Sequence, residues 1–469
     1  MYNNIQVYKL NSQKGLALII LTFFVTVGVI VYLLLTSSVY AFTEVSLVGL
    51  KVSGNQIVNS ENQIVKLYGI NRSGAEFACI QGTGIFDGPS DAPSIDAMKT
   101  WNINAVRIPL NEDCWLGING VMPEYGGENY KQAILDYVNL LISKNLAVIL
   151  ELHWSAPGTQ PATGQQPMPD RDHTPAFWIG VADTFKGNSS VLFDLFNEPY
   201  PDNNQDTTAA WICWRDGGTC PGMSFQAAGM QELVDVVRST GATNIIMLGG
   251  VQYSNRLSKW LEYKPTDPTG NLVASWHIYN FNPCNNQSCW DAQIAPVAAQ
   301  VPVLASEIGE NTCSHDFIDP LMVWLDSKGI GYLGWTWNTW NCRNGPSLIS
   351  NYDGTPTAYG IGLKEHIANL INPVPTDTIP PTVFITSPEN GAIVKTNSLV
   401  NINVSASDNV NVSKVEFYVN SSLKCTSALT PYTCLWRVTG KKNVTYTISA
   451  KAYDSSNNSN SASVTVKSQ

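Results

Sequence analysis

Between about residues 60 and 370, short apolar runs alternate with segments whose apolar positions recur at helical spacing. KLYGINRSG precedes SIDAMKTWNI, and AVRIPL precedes YKQAILDYVNLLISKNL. AVILELHW leads to PAFWIGVADTFKG, VLFDLFNEP to FQAAGMQELVDVVRSTG, and NIIMLGG to RLSKWLEY. LVASWHIYN is followed by CWDAQIAPVAAQ, VPVLASEIGE by FIDPLMVWLDSKGI, and GYLGWTWNTW by IGLKEHIANL. Strands that are apolar on both faces belong in a parallel sheet covered by helices. Eight such units predict a (β/α)8 TIM barrel over residues 43–370 rather than a doubly wound sheet, since INRSGAEF is not a phosphate loop.

The pattern then changes. INPVPTDTIPPT, residues 371–382, is proline-rich and predicts a stiff linker. Beyond it TVFITSP, VNINVSASD, KVEFYVN, TCLWRV, YTISAKAYD and ASVTVK alternate with period two between turn residues, which predicts a small all-β sandwich over 383–469. Its SPENGAIV opening and KVEFYVN…AKAYDSSNNS run resemble the bacterial immunoglobulin-like modules appended to secreted hydrolases.

Residues 1–42 are set apart: Lys9 and Lys14 precede an uncharged apolar run from Gly15 to Leu35, and Val39-Tyr40-Ala41 resembles a cleavage site. The segment is read as a signal peptide or a retained membrane anchor, so everything after residue 42 is expected outside the cell. The ten cysteines suit that compartment. Cys213 with Cys220, Cys284 with Cys289, and Cys425 with Cys434 are close in sequence; Cys79 with Cys114 and Cys313 with Cys342 would complete five pairs. Cys425–Cys434 is expected to close a hairpin. No CxxC occurs, and the five histidines do not cluster with cysteines, so neither metal nor cofactor is expected. A net charge of −10 without a basic block excludes nucleic acid. Asn71, Asn188, Asn403, Asn411 and Asn443 head sequons that permit surface glycans.

Catalytic groups of such barrels project from the C-terminal strand ends. Those ends carry Arg107, His153, Asn197 with Glu198, His277 with Tyr279, Glu307, and Trp337. Each alone has a plain structural explanation; eight at the same end of consecutive strands do not. Two carboxylates among donors and an aromatic suit glycoside hydrolysis. Asp194, four residues before Glu198 on a period-two strand, is expected to point inward into a hydrogen-bond network.

RIPL, ELHW, FNEP, WHIY, SEIG and GWTWN, in that order, resemble the signature of family 5 glycoside hydrolases over roughly residues 60–370. The resemblance implies Glu198 as acid/base and Glu307 as nucleophile. It implies substrate contacts from Arg107, His153, Asn197, His277, Tyr279 and Trp337. Ile308, where an aromatic is frequent, and Glu151, where aspartate is common, depart from the pattern. Glu310, Glu112 and Asp113 are further carboxylates near the rim, and Trp154, Trp214, Trp276 and Trp340 further aromatics. The implied protein is a secreted monomeric retaining endo-β-1,4-glucanase whose partner is a β-glucan polysaccharide. The alternatives are another β-glycan (mannan, xyloglucan or β-1,3-glucan) or a non-catalytic carbohydrate-binding surface protein.

Overall fold

The computed structural model describes residues 45–342, 345–371 and 377–469. The expected export segment at 1–42 and linker residues 372–376 lie outside the described residues. No helix among the described residues is long and apolar enough to cross a membrane. The chain divides into two compact units at Ile371/Asn372.

In the first unit eight strands close a parallel barrel in chain order: β1 (Tyr68–Asn71), β2 (Ala105–Asn111), β3 (Ala147–Trp154), β4 (Val191–Asp194), β5 (Ile246–Gly249), β6 (Leu272–Tyr279), β7 (Val303–Gly309) and β8 (Gly331–Gly334), which pairs back on β1. Tight packing begins at Gly69, where a Cβ would lie 2.0 Å from the carbonyl oxygen of Ala105 on β2. Period-two alternation sorts the side chains. Ile70, Val106, Ile108, Val148 and Leu150 face the helices in one large core, while Ala105, Ala147, Ile149, Leu192, Met247, Val273, Leu304 and Leu333 form a separate core. That second core continues onto Leu47, Leu50, Ile57 and Val65, beside a hairpin of Lys51–Ser53 with Gln56–Val58 that the sequence pattern does not show.

Further along the same strands the buried side chains turn polar: Arg107 follows Ala105, Glu151 and His153 follow Ile149, Asp194 follows Leu192, and Ser275 and His277 follow Val273. The strand interiors are apolar at their beginnings and polar at their ends.

The helices follow the expected periodicity. Glu128–Ser143 buries Tyr130, Ile134, Tyr137, Val138 and Leu141, a stripe at three- and four-residue steps. Asp91 caps Ala92–Lys99 by accepting from Ser94 N at 3.1 Å. Between β5 and β6, RLSKWLEY forms only a single turn, Trp260–Tyr263, in which the buried Trp260 donates to the Leu248 carbonyl at 3.0 Å. The β4–β5 connection holds more than the expected helix: Thr208–Asp216 and a hairpin of Gly217–Thr219 with Gln226–Ala228 precede Met230–Ser239.

The second unit is a two-sheet sandwich of eight strands where the pattern shows six. β9 (Thr382–Ser387), β11 (Leu399–Ser407) and β14 (Tyr432–Arg437) form one sheet. β10 (Ala392–Val394), β12 (Val412–Val419), β13 (Ser422–Ser427), β15 (Thr445–Asp454) and β16 (Ser459–Ser468) form the other. Ile402, Val415, Phe417, Val438, Ile448 and Ala450 fill the space between them.

All five cysteine pairs are bonded as expected. Cys425–Cys434 does not close a hairpin, however. After β13 the chain crosses to the opposite sheet, so this bond joins the two sheets. The eight barrel cysteines all lie in segments that follow a strand's C-terminal end: Cys79 after β1, Cys114 after β2, Cys213 and Cys220 after β4, Cys284 and Cys289 after β6, Cys313 after β7 and Cys342 after β8. One sequon is corrected. Asn71 is fully buried on β1, and its amide donates to the Ser306 and Gly334 carbonyls at 2.9 and 3.3 Å, so it cannot carry a surface glycan.

Candidate active site

Arg107, fully buried on β2, organises the polar end of the barrel. Its Nε donates to Asp194 Oδ2 at 3.0 Å, and Nη1 to Glu307 Oε1 at 2.7 Å and Asn71 Oδ1 at 3.0 Å. Nη2 donates to Asn197 Oδ1 at 3.0 Å, and Glu151 Oε2 lies 3.5 Å from Nη1. One guanidinium cannot neutralise three buried carboxyl groups. Burial pushes Glu151 up to about 8, against the pull of Arg107. Burial likewise lifts Asp194 to about 6, again opposed by Arg107. Asp194 therefore points inward as its spacing requires and anchors the network, also accepting from Ser275 Oγ at 3.3 Å.

Glu307 lies near the C-terminal end of β7, 3% exposed. Arg107 holds one of its oxygens, and Tyr279 Oη donates to the other at 2.6 Å. Both oxygens thus receive donors, which fixes the direction in which the carboxyl group is aimed. Burial, with Glu307 adding to it, keeps the Tyr279 phenol well above its ordinary value, so it remains a donor.

Glu198 lies beyond the end of β4, in the FNEP turn that stops the strand. Oε1 is 2.9 Å from His277 Nδ1, and Gln165 Nε2 donates to Oε2 at 2.8 Å. Burial raises its pKa, and the Gln165 hydrogen bond pulls the other way. Burial drives His277 down to about 3, so the ring beside Glu198 is neutral. His277 Nδ1 also lies 3.6 Å from Glu307 Oε2. Glu198, His277 and Glu307 each offer an atom within 4.8 Å of the other two. That spacing would admit a metal ion. The donors already on Glu307 and Glu198 make a proton-handling pair the better fit to the oxygen environment.

His153 on β3 is held by Glu151, whose Oε2 is 3.1 Å from Nδ1; its Nε2 lies 3.5 Å from Asn197 Nδ2. Burial lowers its pKa. Glu76, from the loop after β1, is also buried; its Oε2 accepts from Gly74 N at 2.6 Å, and burial pushes it up to about 7. Seven of the eight expected residues therefore meet in one network. Trp337 does not join them: it is fully buried, packed edge-on against Trp101 at 4.9 Å. The regular strand ends at Gly334, so alternation no longer sets which tryptophan faces the cleft. Trp335 occupies that place, stacked on His153 at 5.4 Å with 14° between the rings.

The cleft is completed by residues without a sequence signal: Gln165, Tyr253, Phe281, Asn282 and Pro346. Tyr253 stacks on Tyr200 at 4.5 Å and the exposed Phe281 on Tyr279 at 5.2 Å. Of the further aromatics, Trp214 and Trp276 are core, whereas Trp154 and the partly exposed Trp340 flank Phe77 at 6.3 and 5.8 Å. Glu310 is excluded as a rival nucleophile, because it caps the helix Ile318–Lys328 by accepting from Phe317 N and Ile318 N at 2.8 and 3.3 Å. Glu112 and Asp113 secure the loop after β3 through Thr174 Oγ1 at 2.6 Å and Ala162 N at 2.8 Å.

Comparison with known proteins gives the family and the fold. The sequence profile of the cellulase family, glycosyl hydrolase family 5, matches residues 58–341, and that of a bacterial Ig domain matches 381–450. The chain is 20% identical over 323 residues to a mannan endo-1,4-beta-mannosidase of Cellvibrio japonicus, covering 66% of this chain and 65% of that one. It is 24% identical over 226 residues to a manganese-dependent endoglucanase of Phanerodontia chrysosporium, covering 46% and 53%. The chain thus spans less than two thirds of the length of these relatives. Among solved structures, a beta-glucanase from Saccharophagus degradans in complex with cellotetraose shares the fold at TM-score 0.53 and 18% identity, covering 69% of this chain and 93% of that one. A hyperthermophilic endocellulase from Pyrococcus horikoshii does so at 0.52 and 18%, covering 69% and 100%.

Proposed function

Because the chain belongs to glycosyl hydrolase family 5, the cellulase family, we propose that it is a secreted, endo-acting hydrolase that cleaves β-1,4-glucan with retention of configuration. The observation that carries this reading is the pair Glu198 and Glu307, with an oxygen of each within 4.8 Å of the other and with opposite surroundings. Carboxyl groups about 5–5.5 Å apart leave no room for a water between nucleophile and sugar, so the second carboxylate attacks directly. Glu198, whose pKa burial raises, is suited to give a proton to the leaving oxygen and later to take one from water. Glu307, held by Arg107 and Tyr279, is suited to attack the anomeric carbon and carry the glycosyl ester. Asn197 supports the sugar 2-hydroxyl and Trp335 offers a face to the pyranose ring. Five disulfides and the Ig-like module favour work outside the cell.

Purified protein should release reducing sugar from soluble cellulose derivatives, with the β-anomer as first product by proton NMR. Glu307→Gln should lose about 10,000-fold or more in kcat while keeping its thermal transition. A 2-fluoro glycoside should label the peptide containing Glu307. An α-anomeric first product would reject the mechanism. The relationship to a mannan endo-1,4-beta-mannosidase favours mannan as the second reading; a higher kcat/KM on mannan than on cellulose derivatives would select it.

A further inference from the structure

Three aspartates of the second unit come from segments far apart in sequence: Asp377 leads into β9, Asp408 follows β11, and Asp454 ends β15. One oxygen of each lies within 4.8 Å of the other two. Asp377 Oδ1 accepts from Ile379 N at 3.0 Å and Asn409 Nδ2 at 3.2 Å. Asp408 Oδ2 accepts from Val410 N at 2.9 Å and Asn411 N at 3.2 Å. The remaining oxygens, Asp377 Oδ2 and Asp408 Oδ1, are shut off from solvent and receive no hydrogen bond. Asp454, 1% exposed, accepts from Asn458 N and Nδ2, both at 2.8 Å. That same Nδ2 donates to the Asp377 carbonyl at 2.7 Å, tying the segment before β9 to the end of β15.

Two buried carboxylate oxygens without donors are expensive, and three like charges at this spacing repel. The ion pair of the sandwich, Lys414 with Glu416, leaves these aspartates without a cationic partner among the described residues. A cation would remove both penalties. We propose that Asp377, Asp408 and Asp454 bind a calcium ion that fastens the segment before β9 to the sandwich. The donors are all hard oxygens with no nitrogen or sulfur, which selects against zinc and copper. Calcium–oxygen bonds of about 2.4 Å tolerate ligands up to about 5 Å apart across the ion, and the three oxygens fall inside that limit; magnesium keeps its waters and demands a tighter octahedron. The site shares no residue with the barrel cleft.

The test is isothermal titration of the full chain, stripped with EDTA, with calcium chloride and separately with magnesium chloride. One calcium per chain should bind with a Kd between about 10 µM and 1 mM, more tightly than magnesium, and saturation should raise a calorimetric unfolding transition. Asp408→Asn should weaken binding by about 10-fold or more through the lost ligand charge and remove the calcium-dependent rise. Asp377→Asn, which alters a residue outside the strands, serves the same purpose if the first variant does not fold. Glu307→Gln should leave calcium binding unchanged. Absence of binding at millimolar calcium overturns the proposal. So does equal or tighter magnesium binding, and so does a site lost in Glu307→Gln but kept in both aspartate variants.

Discussion

Gln165 holds the oxygen of Glu198 that does not face His277, and it does so as a donor. A donor stabilises the carboxylate over the acid, so it opposes the burial that raises the pKa of Glu198. Gln165→Ala should therefore raise the pKa of Glu198 further and move the alkaline limb of the kcat/KM profile to higher pH. A purely structural role would lower activity without moving the limb. The two tryptophans of the GWTWN stretch should part in the same way. Trp335→Ala removes a ring from the cleft and should raise KM roughly tenfold, worth about 1.4 kcal/mol, with the melting temperature little changed. Trp337→Ala empties a fully buried site and should cost about 3–5 kcal/mol of stability, read by denaturant titration.

At the scale of the element, the strands were the readable part, because period two assigns a face to every residue. Asp194 and Glu198 follow from where an apolar run ends, whereas Arg107 stands inside its strand with Ile108, Pro109 and Leu110 after it, and Glu307 two residues before the end of its own. Where regular backbone stops, the pattern loses its meaning: past Gly334 the wrong tryptophan is chosen. Gln165 sits in TGQQPMP, a loop whose composition carries no periodicity and whose position depends on Glu112, Asp113 and Thr174 packed beneath it. Asn71 shows the converse, since Asn-Arg-Ser has the form of a surface signal, yet β1 carries it into the barrel wall. The two extra sandwich strands and the barrel hairpins are three to six residues long, too short to declare a period.

For the whole molecule, the concentration of buried acids makes stability depend on pH in a definite direction. Burial holds Glu151 near 8 and Glu76 near 7, above the usual 4.5. The folded state therefore binds protons that the unfolded chain has released. That contribution is full below about 4.5 and is lost as pH rises through 7 and 8. The barrel's melting temperature should fall across this window, and Glu151→Gln, which cannot ionise, should flatten the slope. An unchanged slope in that variant would show that Glu151 is ionised in the fold.

The distribution of the four barrel disulfides has an implication for how the chain matures. Each cross-link lies in segments beyond the strand ends, while the apolar lower interior contains none. The scaffold and the cleft are thus held by different chemistries, one by packing that forms in any compartment and one by oxidation. Mild reductant should leave the far-ultraviolet circular dichroism of the barrel in place while KM rises, and reoxidation should restore it. Assembly would then have two stages, with a chain already shaped as a barrel completing its cleft only under oxidising conditions.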